Sequence, residues 1–429
     1  MTNLRAVGLD FGTTNTVGAV ADGAKGAARL LTLDRDGGSE VFRSALCFWQ
    51  DEDARGGLMV EAGPAAIREY LEYPDGSRFL QSFKSVAASA SFDSAPVFNK
   101  RYRFEELGHA FLDRFSEHAG DAFSRLDRLV VGRPVRYAGA RPDEALARER
   151  YDAMFGGRAA DIHYVYEPLA AAYSYAARLA DPATLLVADF GGGTSDFSVV
   201  RIEPDGGGPQ CQPLGHAGVG IAGDRFDYRI VDRLVLPLLG KGGTYRSFDK
   251  ILEIPGGYFA DFGDWSKLAL MRNRRTLAEL ERLQRSAVDA QAIGRMIAII
   301  EHELGFPLYD AVGRLKRALS SADAAEFRFA GGGLDIVASV ERVEFERWIA
   351  DDVARMAAAV DEALVDANIE AGAIDRVFLT GGTSLVPAVR RLFEQRFGAD
   401  RIDAGGELTS IAHGLALIAQ LDDLSGWTV

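Results

Sequence analysis

A chain of 429 residues has the length for two or three domains, and 48% hydrophobic with 26% charged residues is a globular balance. With 48 basic against 62 acidic side chains the net charge is −14, which argues against nucleic acid or an anionic membrane as the main partner. Two cysteines without a CxxC, six histidines without an HExxH, no basic-then-apolar leader and no membrane-length apolar run point to a reducing, cytoplasmic setting without a metal-ligand framework.

In chain order, the first informative stretch is "LDFGTTNTVGAV", Leu9 to Val20. It reads as a strand, a small-residue turn rich in hydroxyls, and a second strand. Taken alone it fits a plain β-hairpin, or a phosphate-binding hairpin whose turn offers backbone N–H groups and hydroxyls to an anion. Glu40 to Phe104 is mixed in character and reads as an inserted subdomain. "DRLVVGRPVRY" from Asp127 predicts a buried strand ended by Gly and Pro, and "YEPLAAAYSYAARL" from Tyr166 predicts a helix with Pro168 in its first turn. "LLVADFGGGTSDFSVV", Leu185 to Val200, then repeats the opening pattern of strand, Asp-Phe-Gly, small polar turn and strand. Two such units a domain apart predict a duplicated architecture.

"DRFDYRIVDRLVLPLL" from Asp224 predicts one amphipathic helix, and further helical patterns follow between Lys267 and Ala322 and from Arg342. A third turn, "VFLTGGTSLVP" from Val377 to Pro387, again follows an apolar strand, and "LTSIAHGLALIAQL" from Leu408 predicts a small-residue helix. The glycine loops "PDGGGPQ" and "FAGGGLD" are too short to link domains.

An aspartate at a strand end beside glycine-rich N–H groups suits magnesium-nucleotide chemistry, since Mg²⁺ keeps several waters and is held through one or two carboxylates plus phosphates. Asp10 and Asp189 occupy equivalent positions in the two echoes, and Asp196 adds a carboxylate just past the second turn. Each could instead be an ordinary turn or capping aspartate. No GxxxxGK[ST] occurs, and "GVGIAG", Gly218 to Gly223, lacks the acidic residue that a dinucleotide fingerprint needs about twenty residues on.

The three turns, in this order, resemble those of the actin, sugar-kinase and heat-shock-chaperone ATPase superfamily. Within it the chain resembles the nucleotide-binding domain of the heat-shock protein 70 family. The matching pieces are "GLDFGTTNT", "VYEPLAAAYSYA", "ADFGGGTSDFSV", "GIAGDRFDYRIV", "RLKRALSS", "LTGGTSLVPAVRRLF" and "SIAHGLAL", which span nearly the whole chain. The resemblance implies an α/β, actin-like ATPase fold of two duplicated lobes, each a mixed sheet flanked by helices. The first lobe would cover residues 1–182 with an insert at about 40–104, and the second residues 183–429 with an insert at about 224–310. Because only "DDLSGWTV" follows Leu421, no C-terminal peptide-binding domain is expected, and unfolded peptides are expected neither to bind nor to stimulate.

For individual residues, the resemblance implies that Gly12, Thr13, Thr14 and Asn15 grip the phosphates from one side and Gly191, Gly192, Gly193 and Thr194 from the other. Gly223, Gly381, Gly382 and Thr383 would join the nucleotide site. Asp10, Asp189 and Glu167 would hold Mg²⁺ through water, Lys84 would reach the γ-phosphate, and Thr194 with Asp196 would orient the attacking water. Lys316, Arg317 and Ser320 would hold adenosine. The chain departs from the family pattern at Gly313, Leu385 and Leu408, where an acidic residue, an arginine and an acidic residue are usual; Glu407 is adjacent to the last. Strict adenine recognition is thereby put in doubt.

The resulting expectation is a monomeric, cytoplasmic, Mg²⁺-dependent ATPase that binds ATP and ADP and works as a chaperone-like conformational switch. Its partners would be a co-chaperone, a nucleotide-exchange protein or a client, with no nucleic acid and no membrane. A sugar-type kinase and a filament-forming relative are the alternatives within the superfamily.

Overall fold

Apolar runs before each Asp-Phe-Gly become the central strands of two sheets of the same topology in the computed structural model. The structure describes all residues except 1–3, 22–25, 34–37, 52–56, 74–75, 140, 177–178, 180, 204–209, 264–267, 269–270 and 406–407. The described chain divides into a larger unit, residues 1–223 with 353–429, and a smaller one, residues 224–352.

In the larger unit the first sheet contains β1 (Ala6–Phe11), β2 (Asn15–Ala21), β3 (Ala28–Leu30), β4 (Leu126–Arg133) and β5 (Ala159–Tyr166), in the order β5-β4-β1-β2-β3. The second contains β6 (Ala183–Phe190), β7 (Ser195–Glu203), β8 (Gln210–Val219), β9 (Arg376–Thr380) and β10 (Ile402–Ala404), in the order β8-β7-β6-β9-β10. Each sheet has an antiparallel meander on one side of its first strand and two parallel strands on the other. The echo in the sequence is therefore a repeated sheet, and the chain has the mixed α/β architecture of the actin-like ATPase fold. β6 is buried at every position and β1 at all but Asp10, so both read as nearly continuous apolar runs rather than alternating ones. The segment after the first meander adds a three-stranded sheet of Ala45–Asp51 between Gly57–Ala62 and Ser77–Gln81.

Beneath the end of β1 lies an aromatic core. Phe11 packs on Phe83 at 5.6 Å and on Phe111 at 5.7 Å between ring centroids, with Tyr151 and Phe155 at its edges. Phe111 comes from α1 (Phe104–Ala119), and Tyr151 and Phe155 from α2 (Glu144–Phe155). Phe83 opens a 3₁₀ turn, Phe83–Val86, so its anchoring also fixes the next residue, Lys84. α3 (Glu167–Ala176) starts at Glu167 with Pro168 in its first turn, as the sequence predicts, and is buried along its whole length.

Downstream, the fully exposed-to-buried alternation of an ordinary amphipathic helix gives way in the smaller unit. The predicted single helix from Asp224 is instead an α-helix, Gly223–Ile230, a π turn, Val231–Val235, and a last helical turn, Leu236–Leu238. Pro237 supplies no N–H for the regular ladder, and a widened turn just before it absorbs that loss. The same unit contains the helices Arg274–Ser286 and Ala290–Glu301, α4 (Gly305–Ser321), and the hairpin Ala324–Gly331 with Leu334–Glu341. α5 (Arg342–Asp366) runs from there back into the larger unit.

The larger unit closes with α6 (Pro387–Phe397) and α7 (Ser410–Ile418). α7 crosses α3 at Gly414, where a Cβ would lie 1.8 Å from the carbonyl oxygen of Ala170. Only glycine permits that approach, which explains the small-residue composition of both helices. Among the described residues no helix is long and apolar enough to cross a membrane.

Candidate functional site

The turn between β1 and β2 is Gly12–Thr14, and the turn between β6 and β7 is Gly191–Thr194. They face each other closely: a Cβ on Gly193 would lie 3.7 Å from the Thr13 hydroxyl. Asp10 stands opposite Val17 in the first meander, and Asp189 stands opposite Asp196 in the second. Directly opposed residues share a face, so Asp189 and Asp196 present two carboxylates together. The third turn, Gly381 followed by the 3₁₀ turn Gly382–Leu385, abuts the second, and its Thr383 is buried.

Lys84 and Glu167 complete this group. The Lys84 Nζ lies 2.6 Å from Glu167 Oε1, with both side chains almost wholly buried, and the ammonium also sits 5.9 Å from the Phe11 ring centroid. Burial opposes the charge on Lys84, yet Glu167 and then Asp10 outweigh it and hold the lysine protonated above its ordinary value.

The aspartates respond in the opposite sense. Burial, then the charge of Glu167, pushes Asp10 up to about 7, with Lys84 only partly offsetting them. Asp189 is raised well above the usual carboxylate range by burial, then by Glu167, Asp10 and Asp196. Asp196 is raised to about 7 by burial and Glu167, against the pull of hydrogen bonds from the Thr194 side chain and the Arg136 amide. Three buried carboxyl groups and the half-buried Asp10 thus share one lysine, an arrangement that favours an additional cation.

Two buried oxygens in this group have no hydrogen-bond partner among the described residues: Thr14 Oγ1, a donor, and Asp196 Oδ2, an acceptor. One lies in the first turn and the other on β7 just past the second, and they match the needs of a phosphate oxygen and of a water. Among the described residues no three His, Cys, Asp or Glu side chains come close enough to hold a metal ion between them.

Asp196 is held by a contact that side-chain motifs do not reveal. Its Oδ1 accepts the Arg136 N–H at 3.1 Å, from the loop that follows β4. A backbone amide has no signature in sequence beyond the "GRPVRY" that ends the strand. Gly218 is the second hidden element. It pairs with Asp196 across β7 and β8, and a Cβ there would come within 2.7 Å of Asp196 Oδ1. The "GVGIAG" stretch is thus strand and bend, and its first glycine makes room for a carboxylate. Gly218→Ala is expected to push the Asp196 carboxyl off its position while shifting the melting midpoint only slightly, as a crystal structure and a thermal melt of the variant would show.

Of the remaining candidates, Lys316, Arg317 and Ser320 lie in the smaller unit and Gly223 ends the first segment of the larger one. Gly223 is the first residue of its helix. On α4, Lys316 ion-pairs with Asp227 at 2.8 Å, Ser320 donates to the Lys316 carbonyl, and the Arg317 guanidinium would lie 3.3 Å from a Cβ on Gly313. Leu385 and Leu408 are exposed at 57% and 47%, so neither is spent on the core. Glu407 lies outside the described residues.

Residues 303–426 match the family model described as Hsp70 protein. Over 424 residues, 97% of this chain, it is 25% identical to the chaperone protein DnaK of Deinococcus radiodurans. The match covers 59% of that relative, so the chain spans well under two thirds of its length.

Proposed function

We propose that the chain is a nucleotide-binding domain of the heat-shock protein 70 family, and that it binds ATP with Mg²⁺ between the two glycine-rich turns of its larger unit and hydrolyses it to ADP and phosphate. The observation that carries this reading is the group of three buried carboxyls and half-buried Asp10 around one buried lysine, with Thr14 Oγ1 and Asp196 Oδ2 left unpaired among the described residues.

Gly12–Asn15 and Gly191–Thr194 would receive the phosphates on their N–H and hydroxyl groups, with Gly381, Gly382 and Thr383 beside them. Mg²⁺, held through water by Asp10, Asp189 and Glu167, would supply charge neutralisation for the phosphates. Lys84 keeps its proton and would stabilise charge that develops on the transferred phosphoryl group. Asp196 would orient the attacking water. Its Oδ1 is tied to the Arg136 amide, which leaves Oδ2 to accept a water proton, and a carboxyl titrating at about 7 suits that exchange near neutral pH. Lys316, Arg317 and Ser320 would contribute to nucleoside binding, with relaxed base choice where Gly313, Leu385 and Leu408 stand. We read the activity as a chaperone-like switch in the cytoplasm, sensed by a co-chaperone, exchange protein or client.

Calorimetric titration with ATP, ADP and GTP, with and without Mg²⁺, followed by phosphate release without any acceptor, tests the proposal. Steady release that requires Mg²⁺ is the expected result. Release only when a sugar is added would replace the ATPase reading with a kinase.

A further inference from the structure

We infer that Ser44, which lies in neither glycine-rich turn, is a positioning residue for the phosphate-binding amides of the first turn. The inference rests on the nucleotide reading above.

The short strand Phe42–Arg43 pairs with the start of β2, placing Arg43 opposite Asn15 and Phe42 opposite Thr16. That pairing delivers the next residue, Ser44, beneath the turn, where it is buried at 2% exposure. Its hydroxyl donates to the Gly12 carbonyl at 2.6 Å and shares a hydrogen bond with the buried Thr16 hydroxyl at 2.9 Å. Its backbone N–H donates to the Thr14 carbonyl at 3.0 Å. The Arg43 guanidinium, 3.1 Å from Asn15 Oδ1, ties down the same turn from one residue before.

Peptide planarity turns these bonds into a statement about the turn's donors. In a trans peptide the C=O and the following N–H point in opposite directions. With the Gly12 carbonyl drawn to Ser44, the Thr13 N–H faces away from it; with the Thr14 carbonyl drawn to Ser44, so does the Asn15 N–H. One residue therefore orients two peptide groups of the turn, and both donors are set before any anion arrives. A turn of Gly-Thr-Thr-Asn is otherwise free to flip either peptide, and a flipped peptide would present a carbonyl to the phosphate.

The role is specific to the phosphate end of a nucleotide, which makes it separable from general loosening. Titrations of the full chain with Mg²⁺-ADP and with adenosine are the test. Ser44→Ala is expected to weaken Mg²⁺-ADP binding about tenfold and leave adenosine within twofold, while Ser44→Thr, which retains the hydroxyl, stays within twofold for both. Equal Mg²⁺-ADP affinity in Ser44→Ala, or an equal loss of adenosine, would overturn the assignment. Should Ser44→Ala fail to fold, Thr16→Val removes the hydroxyl that steadies Ser44 and is expected to lose about threefold in Mg²⁺-ADP affinity; no loss there overturns it too. Wild-type protein that binds no Mg²⁺-ADP overturns the nucleotide reading and this one together, whereas wild-type binding with an indifferent Ser44→Ala overturns this one alone.

Discussion

Lys84→Ala is expected to slow phosphate release by about 100-fold or more while ADP affinity stays nearly intact, because ADP lacks the group that Lys84 would meet. The same change removes the ion-pair partner of a buried glutamate, Glu167. An uncompensated buried charge costs about 3–5 kcal/mol, so the melting midpoint should fall as well. The two effects separate in the double variant Lys84→Ala/Glu167→Ala. Without Glu167 stranded that protein should regain part of the lost stability, and without either group it should remain inactive. Normal hydrolysis in the single variant would return Lys84 to a structural role.

Asp10→Asn should produce opposite changes in stability and in binding. The carboxyl of folded Asp10 titrates at about 7, against 3.8 for an unperturbed aspartate. Between those two pH values the folded chain holds a proton that the unfolded chain has released, so raising the pH through this window costs stability. Nucleotide-free wild type should therefore melt lower at pH 8 than at pH 5.5, and Asp10→Asn should flatten that slope and raise the midpoint at pH 8. Nucleotide binding should move the other way and lose its Mg²⁺ dependence, since a full charge beside the metal has gone. Asp189→Asn should follow the same pattern, its carboxyl being raised further by burial and by the charges around it. A wild-type melting point that does not vary with pH, or an Asp10→Asn protein that still needs Mg²⁺, would contradict the arrangement of charges described above.

Such a site trades stability for binding. A ligand-free protein whose carboxylates are buried together is strained by its own charge, and a bound cation relieves it. The same logic explains why the aromatic core beneath the site is so dense: Phe11, Phe83 and their neighbours hold Asp10 and Lys84 where neither would stay unaided.

Much of this was legible in the chain itself. The apolar runs before Asp10 and Asp189, the two small-residue turns and the "YEPLAAAY" helix start are local patterns, and local patterns follow from propensity and turn chemistry that need no partner. Their repetition predicts the duplicated sheets that the structure has. Tertiary structure alone decided what each pattern meets. Lys84 is one charged residue in a mixed segment until folding buries it against Glu167, 83 positions away. Gly218 looked like part of a failed nucleotide fingerprint until strand pairing set it against Asp196. The Arg136 amide and the Ser44 hydroxyl act through backbone direction and through contacts distant in sequence, 60 positions for Arg136 with Asp196 and 32 for Ser44 with Gly12. Side-chain identity carries periodicity and chemistry, but the electrostatic state of a group depends on what excludes water from it, and that is a property of packing.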